Sequence, residues 1–154
     1  MTEKKTVVVG TIGAGYAADL HASGYQRVCG VNVRLKTICD VRLEAAEQIK
    51  ERYGYEHAAS DYEDLLRDPE IDVIDLVTPP FLHCEMAVKA LRAGKHVICE
   101  KPLTGYFGKR GEENVGRTTP KSVMYREVLR SMEELKSVAE DSGKKFMYAE
   151  NFVY

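Results

Sequence analysis

Three groups of residues in this 154-residue sequence have the types and spacing to do chemistry. The first is a run of small residues, Gly13-Ala14-Gly15-Tyr16-Ala17-Ala18, placed directly after the apolar, β-branched stretch Thr6-Val7-Val8-Val9 and a short linker. The pattern is G-x-G-x-x-A. Gly13 lets the backbone turn sharply, and Gly15 lets it approach an anion with no Cβ in the way. Ala18 lets the following helix pack closely, and that helix's N-terminus offers free N–H groups and a positive dipole end. With a strand before it and a helix after it, such a turn suits the pyrophosphate of a dinucleotide.

The second group is Asp40 with Arg42. A carboxylate at the tip of the second strand can accept both hydroxyls of an adenosine ribose and repel a 2′-phosphate, or it can cap the helix that follows. The Arg42 guanidinium pulls the other way, since it could hold the extra phosphate of NADP. NAD is the expected cofactor, with NADP left open.

The third group lies further along, at two strand ends: Thr78-Pro79-Pro80 with His83, and Glu100-Lys101-Pro102. Proline cannot continue a sheet ladder, so the chain leaves the sheet at both places, on the edge where open α/β sheets bind ligands. His83 reads equally as a helix-start residue bonding nearby backbone and as a ligand contact. Glu100 and Lys101 read either as a solvated ion pair, worth under about 1 kcal/mol, or as an ammonium and a carboxylate set beside a nicotinamide and its substrate.

The apolar pattern supplies the elements that must position these residues. Residues 6–9 read as a buried strand, 16–27 as a helix, 33–39 as a second strand ending at Asp40, and 43–53 as a second helix. A short, poor strand at 57–60 precedes a short helix at 61–66, capped by Asp61 and closed by Asp68-Pro69. Residues 71–77 form a buried strand. A helix opens at His83, with Met86, Ala87, Ala90 and Leu91 on one face, and stops at Gly94. Residues 95–99 make the fifth strand, 122–142 a long helix with Gly143 as its C-cap, and 144–149 the sixth strand. Between them, 105–121 is dense in glycine and charge and has no apolar period. It is expected to be an irregular excursion, a solvated loop or a lid near the site. Strand–helix alternation from end to end predicts an α/β fold, a doubly wound parallel sheet, as one domain over 1–154.

Composition narrows the function classes. With 44% hydrophobic and 30% charged residues the chain is globular, and its net charge of −2 makes no case for nucleic acid or an anionic membrane. No apolar run approaches the ~18 residues of a membrane span, and a secretory signal pattern is absent. Cys29, Cys39, Cys84 and Cys99 lack CxxC spacing. Cys39 and Cys99, at the ends of apolar runs, are expected to be buried thiols, with no metal site, in a cytoplasmic protein.

The G-x-G-x-x-A turn with His21 after it, Thr78-Pro79-Pro80-x-x-His83, and Glu100-Lys101-Pro102 together resemble the N-terminal Rossmann domain of the glucose–fructose oxidoreductase/inositol dehydrogenase/MocA family. The resemblance implies that Gly13, Gly15, Tyr16 and Ala17 line the pyrophosphate and that Asp40 meets the ribose. It implies that 78–83 run beneath the cofactor, and that Lys101 points at substrate or nicotinamide with Glu100 alongside. It also implies a second domain, absent from this sequence, that supplies most of the substrate pocket and the homo-oligomer interface. The full-length parent would then be an NAD(P)-dependent dehydrogenase acting on a sugar, polyol or similar hydroxyl compound, and these 154 residues alone would be inactive. A non-catalytic nucleotide-binding sensor is the alternative. A methyltransferase-like domain is disfavoured by the two proline-bearing strand ends.

Overall fold

The computed structural model describes residues 4–109 and 111–150. Six parallel strands form one sheet in the order β3-β2-β1-β4-β5-β6. In chain order these are β1 (Thr6–Ile12), β2 (Asn32–Cys39), β3 (His57–Ala59), β4 (Val73–Leu76), β5 (His96–Glu100) and β6 (Phe146–Ala149). The helices between them are α1 (Tyr16–Tyr25), α2 (Leu43–Tyr53), α3 (Tyr62–Arg67), α4 (His83–Arg92), the single turn α5 (Val115–Thr118) and α6 (Lys121–Ser142). The chain winds outward from β1 to β3, then returns to the other side of β1 and winds outward again. The reversal puts a topological switch point between the carboxyl ends of β1 and β4.

Each face of the sheet buries its own apolar cluster, as alternation along the central strands requires. Val8 and Ile12 join Ile74, Leu76, Val97, Leu91 and Leu135 beneath α4 and α6. Val9 joins Ile38, Ala18, Ala22, Ala46 and Ile49 beneath α1 and α2. Ala18 and Ala22 are fully buried, so α1 lies tight against the sheet, where a larger side chain would force it off. Thr11, also fully buried in β1, shares a 2.8 Å hydrogen bond with the Tyr55 hydroxyl.

Most of the expected elements form, and the differences have physical causes. The fifth strand starts one residue later than predicted, because Lys95 turns inward and its ammonium donates to the carbonyls of Asp68 and Ile71, tying down the approach to β4. The Asp61 cap is present, its carboxylate accepting the Glu63 N–H at 2.9 Å. The segment 105–121 is not wholly irregular. Asn114, in the left-handed region at φ 55°, starts the turn α5, and Pro120 opens α6. Cys39 and Cys99 are buried as expected, which pushes both thiols up to about 12, and all four cysteines are free. Among the described residues no helix is long and apolar enough to cross a membrane.

Candidate functional site

At the switch point the fold brings the glycine turn against the end of β4. The Gly13 N–H donates to the Cys39 carbonyl at 2.7 Å, and a Cβ on Gly13 would stand 2.6 Å from the Val77 carbonyl oxygen. Its φ of 107° is a left-handed value that a side chain resists. Two neighbouring strand ends therefore leave room here only for glycine. Gly15 is the opposite case. Nothing lies within 4 Å of the Cβ it lacks, and it precedes α1 with no side chain capping the helix N-terminus. A ten-residue helix thus directs uncapped N–H groups into open space, as anion binding requires. Tyr16 is exposed and Ala17 half-buried beside it.

Asp40 does not cap α2, which begins after Arg42 without a side-chain cap. Instead its carboxylate bridges two backbone segments, accepting the Ala14 N–H of the glycine turn and the Arg42 N–H, each at 2.9 Å. Each oxygen keeps a further lone pair for a ligand hydroxyl. The Arg42 guanidinium reaches within 3.7 Å of this carboxylate and is otherwise largely exposed.

Thr78 and Pro79 follow β4, and the Thr78 backbone nitrogen lies 3.1 Å from where a Gly13 Cβ would stand. The Thr78 hydroxyl oxygen is buried and, among the described residues, has no hydrogen-bond partner. An orphaned polar atom of this kind costs about 1–3 kcal/mol unless something completes it. His83 is fully buried, its Nδ1 2.8 Å from the Pro102 carbonyl and its Nε2 2.8 Å from the Thr78 carbonyl. Each ring nitrogen thus stands at a backbone carbonyl, as the internal reading of His83 expects, and the ring ties the loop after β4 to the loop after β5.

Lys101 is exposed, at the exit of β5, and its peptide bond to Pro102 is cis. Glu100 accepts the Lys101 N–H at 2.8 Å through one oxygen and meets His21 Nε2 at 3.3 Å through the other. The opposite ring nitrogen, His21 Nδ1, lies 3.0 Å from both oxygens of Asp75. Asp75 is fully buried and also accepts the Tyr25 hydroxyl at 2.8 Å. Both His21 nitrogens face carboxylate oxygens, so both donate only from a protonated ring. The hydrogen bond to Asp75 raises the His21 pKa above its ordinary value against the opposing effect of burial, with Glu100 adding to the rise. Burial first, and the Asp75 charge second, drive the Tyr25 phenol far above its usual range, so it stays a donor.

Tyr16, Ala17, Leu20, His21, Glu100, Lys101, Ala149 and Glu150 line one cleft of about 630 Å³ along the carboxyl edge of the sheet. The cleft brings the start of α1, at Tyr16 and Ala17, and the Glu-Lys pair to one space, while Gly13, Gly15, Asp40 and Arg42 lie outside its lining. A larger cleft of about 820 Å³, between Phe81, residues 105–109 and 111–112, and α6, holds none of the candidate cofactor or catalytic residues. Sequence reasoning misses Asp75 and Tyr25, and uses His21 only as a mark of resemblance. Two signals point to them: Asp75, the more central of the two acids in the otherwise apolar run 71–77, and His21 and Tyr25 four apart on one helical face.

A parallel sheet, a glycine turn at its switch point, an uncapped helix N-terminus and an unpaired Thr78 hydroxyl define a dinucleotide-binding domain, and these features fit a nicotinamide dinucleotide. Residues 7–112 match the family described as oxidoreductases with an NAD-binding Rossmann fold. The chain belongs to that family, the glucose–fructose oxidoreductase/inositol dehydrogenase/MocA oxidoreductases. It is 38% identical over 113 residues to levoglucosan dehydrogenase of Pseudarthrobacter phenanthrenivorans, covering 69% of this chain and 28% of that protein. It is 33% identical over 96 residues to myo-inositol 2-dehydrogenase of Thermotoga maritima, covering 62% and 28% respectively. A solved levoglucosan dehydrogenase in complex with NADH and levoglucosan superimposes with a TM-score of 0.74 at 28% identity, covering 94% of this chain and 35% of that one. The chain thus spans under a third of the length of these curated relatives.

Proposed function

We propose that this chain is the cofactor-binding domain of an NAD(P)-dependent dehydrogenase that acts on a sugar, a polyol or a related hydroxyl compound. The observation that carries the reading is the shared cleft, in which the uncapped first turn of α1, just behind Gly15, and the exposed Lys101 line one space at the sheet's carboxyl edge. Gly13, Gly15, Tyr16 and Ala17 would hold the pyrophosphate, Asp40 the adenosine ribose, and Thr78 and Pro79 the nicotinamide side. When bound, the nicotinamide supplies the hydride acceptor or donor. Lys101 would polarise the substrate oxygen or assist its proton transfer, with Glu100 fixing the backbone from which it projects.

The kinds of substrate named for the relatives, an anhydrosugar and an inositol, support a polyhydroxylated one. The Asp40 carboxylate beside the ribose position favours NAD, and Arg42 keeps NADP within reach. Free thiols at Cys39 and Cys99 suit a reducing, cytoplasmic setting.

Calorimetric titration of the chain with NADH, NADPH and S-adenosylmethionine tests the reading. Saturable binding of NADH, lost in Gly13→Val, is the expected result. Binding of S-adenosylmethionine alone, or of none of the three, would overturn it.

A further inference from the structure

We propose that His21 is a positioning residue for the Glu100–Lys101 end of the site: its ring ties the Glu100 carboxylate to the buried Asp75, and Glu100 in turn holds the Lys101 backbone. The inference rests on the reading of Lys101 as the group that faces substrate.

The geometry runs through three elements, α1, β4 and β5, without a break. Tyr25, one turn beyond His21 on α1, donates to Asp75 at 2.8 Å and so fixes the carboxylate in β4. Asp75 then receives His21 Nδ1 at 3.0 Å on both oxygens. The ring's far side meets Glu100 Oε1 at 3.3 Å, and Glu100 Oε2 receives the Lys101 N–H at 2.8 Å. Exposure falls from the surface inward along this series. Lys101 is exposed, the Glu100 and His21 side chains are 20% and 17% exposed, and that of Asp75 is wholly buried.

The interior end therefore has no water to exchange with, and acts as an anchor rather than an exit for protons. The ring also separates two carboxylates that would otherwise face each other across the α1–sheet contact. A neutral ring could serve only one of them, since its second nitrogen would then be an acceptor against an acceptor.

The groups that face His21 are Asp75 from β4, Tyr25 and Tyr16 on its own helix, Glu100 and Lys101 from the end of β5, and Glu150 after β6. Nearest to it are the two carboxylates, and both favour the charged ring. As pH rises through the His21 value the Glu100 bond weakens, and the Lys101 amide should sense the change one bond further on. An imidazole serving only as packing would leave that amide unmoved.

The test is an NMR titration of the isotopically labelled 154-residue chain between about pH 5 and 9, following the histidine rings and the backbone amides together. The expected result is a His21 midpoint above the ordinary imidazole value of 6.5, with the Lys101 amide moving at the same midpoint. In His21→Gln the Lys101 transition should vanish while the rest of the spectrum keeps its dispersion. A Lys101 amide that stays flat through the His21 midpoint, or that still titrates there in His21→Gln, overturns the proposal. Should the variant fail to fold, the wild-type titration decides alone. No cofactor is present in this experiment, so its failure is distinct from a failure to bind NADH, which would count against the functional reading instead.

Discussion

The two halves of the candidate site are built by opposite means. On the side of β1 and β2 the site is made by missing atoms: a Cβ absent from Gly13 so that two strand ends can touch, and one absent from Gly15, where nothing lies within 4 Å. Its polar contacts are backbone N–H groups gathered around one acid, Asp40. On the side of β4 and β5 the site is made by added groups. Asp75, Tyr25, His21 and Glu100 form a side-chain network that reaches from the fully buried interior to the exposed Lys101. A region defined by small residues yields to any substitution that adds bulk. One defined by buried charge yields to any that removes a partner.

That contrast can be broken from either side, and the largest effect should come from the charged side. Asp75→Ala takes the acceptor from His21 Nδ1 and from the Tyr25 hydroxyl at the buried end of the network, leaving the ring only Glu100, and should cost about 3–5 kcal/mol in urea unfolding at neutral pH. The pH dependence sharpens this. A raised His21 value means that its contribution is fully present below the unfolded value near 6.5 and is lost as pH climbs through the folded one. Wild-type stability should therefore carry a falling component above that point, which Asp75→Ala flattens.

Next in size is Gly13→Ala, where a methyl group meets the Val77 carbonyl at 2.6 Å and the φ of 107° adds strain. A loss of about 2–4 kcal/mol is expected by the same measurement. The smallest effect on stability should be that of Gly15→Ala. Its Cβ enters empty space at an ordinary φ of −94°, so unfolding should shift by under about 0.5 kcal/mol. NADH affinity should nonetheless fall about tenfold, or about 1.4 kcal/mol, in calorimetry. Unchanged affinity there would mean that the anion does not approach Gly15.

The same contrast separates what is legible in the amino-acid sequence from what is not. Gly13, Gly15 and Ala18 act through local backbone, so their spacing alone announces the turn. The apolar runs at 6–9 and 71–77 likewise announce strands, because the face each residue takes depends on its near neighbours in the chain. Asp75 and His21 are 54 positions apart and meet only through the order of strands in the sheet. No local pattern encodes that meeting, and an acid in an apolar run gives only a hint of it. His83 is ambiguous for the same reason, since the Pro102 carbonyl that holds it arrives 19 residues later. The turn α5 leaves no trace in the apolar pattern because a single helical turn has no period to detect.

The place of β1 in the strand order has a consequence for synthesis on the ribosome. Its first partner, β2, follows within a few tens of residues, but the register on its other edge pairs Val9 with Val73. For as long as that stretch takes to emerge, β1 presents an apolar strand edge with unpaired backbone, the kind of surface on which chains associate wrongly. Nor is the carbonyl that presses on Gly13 there to complete the turn. The ligand site of the N-terminal third is thus finished by residues translated long after it, and a nascent chain halted before Val77 should neither bind a dinucleotide nor resist a protease.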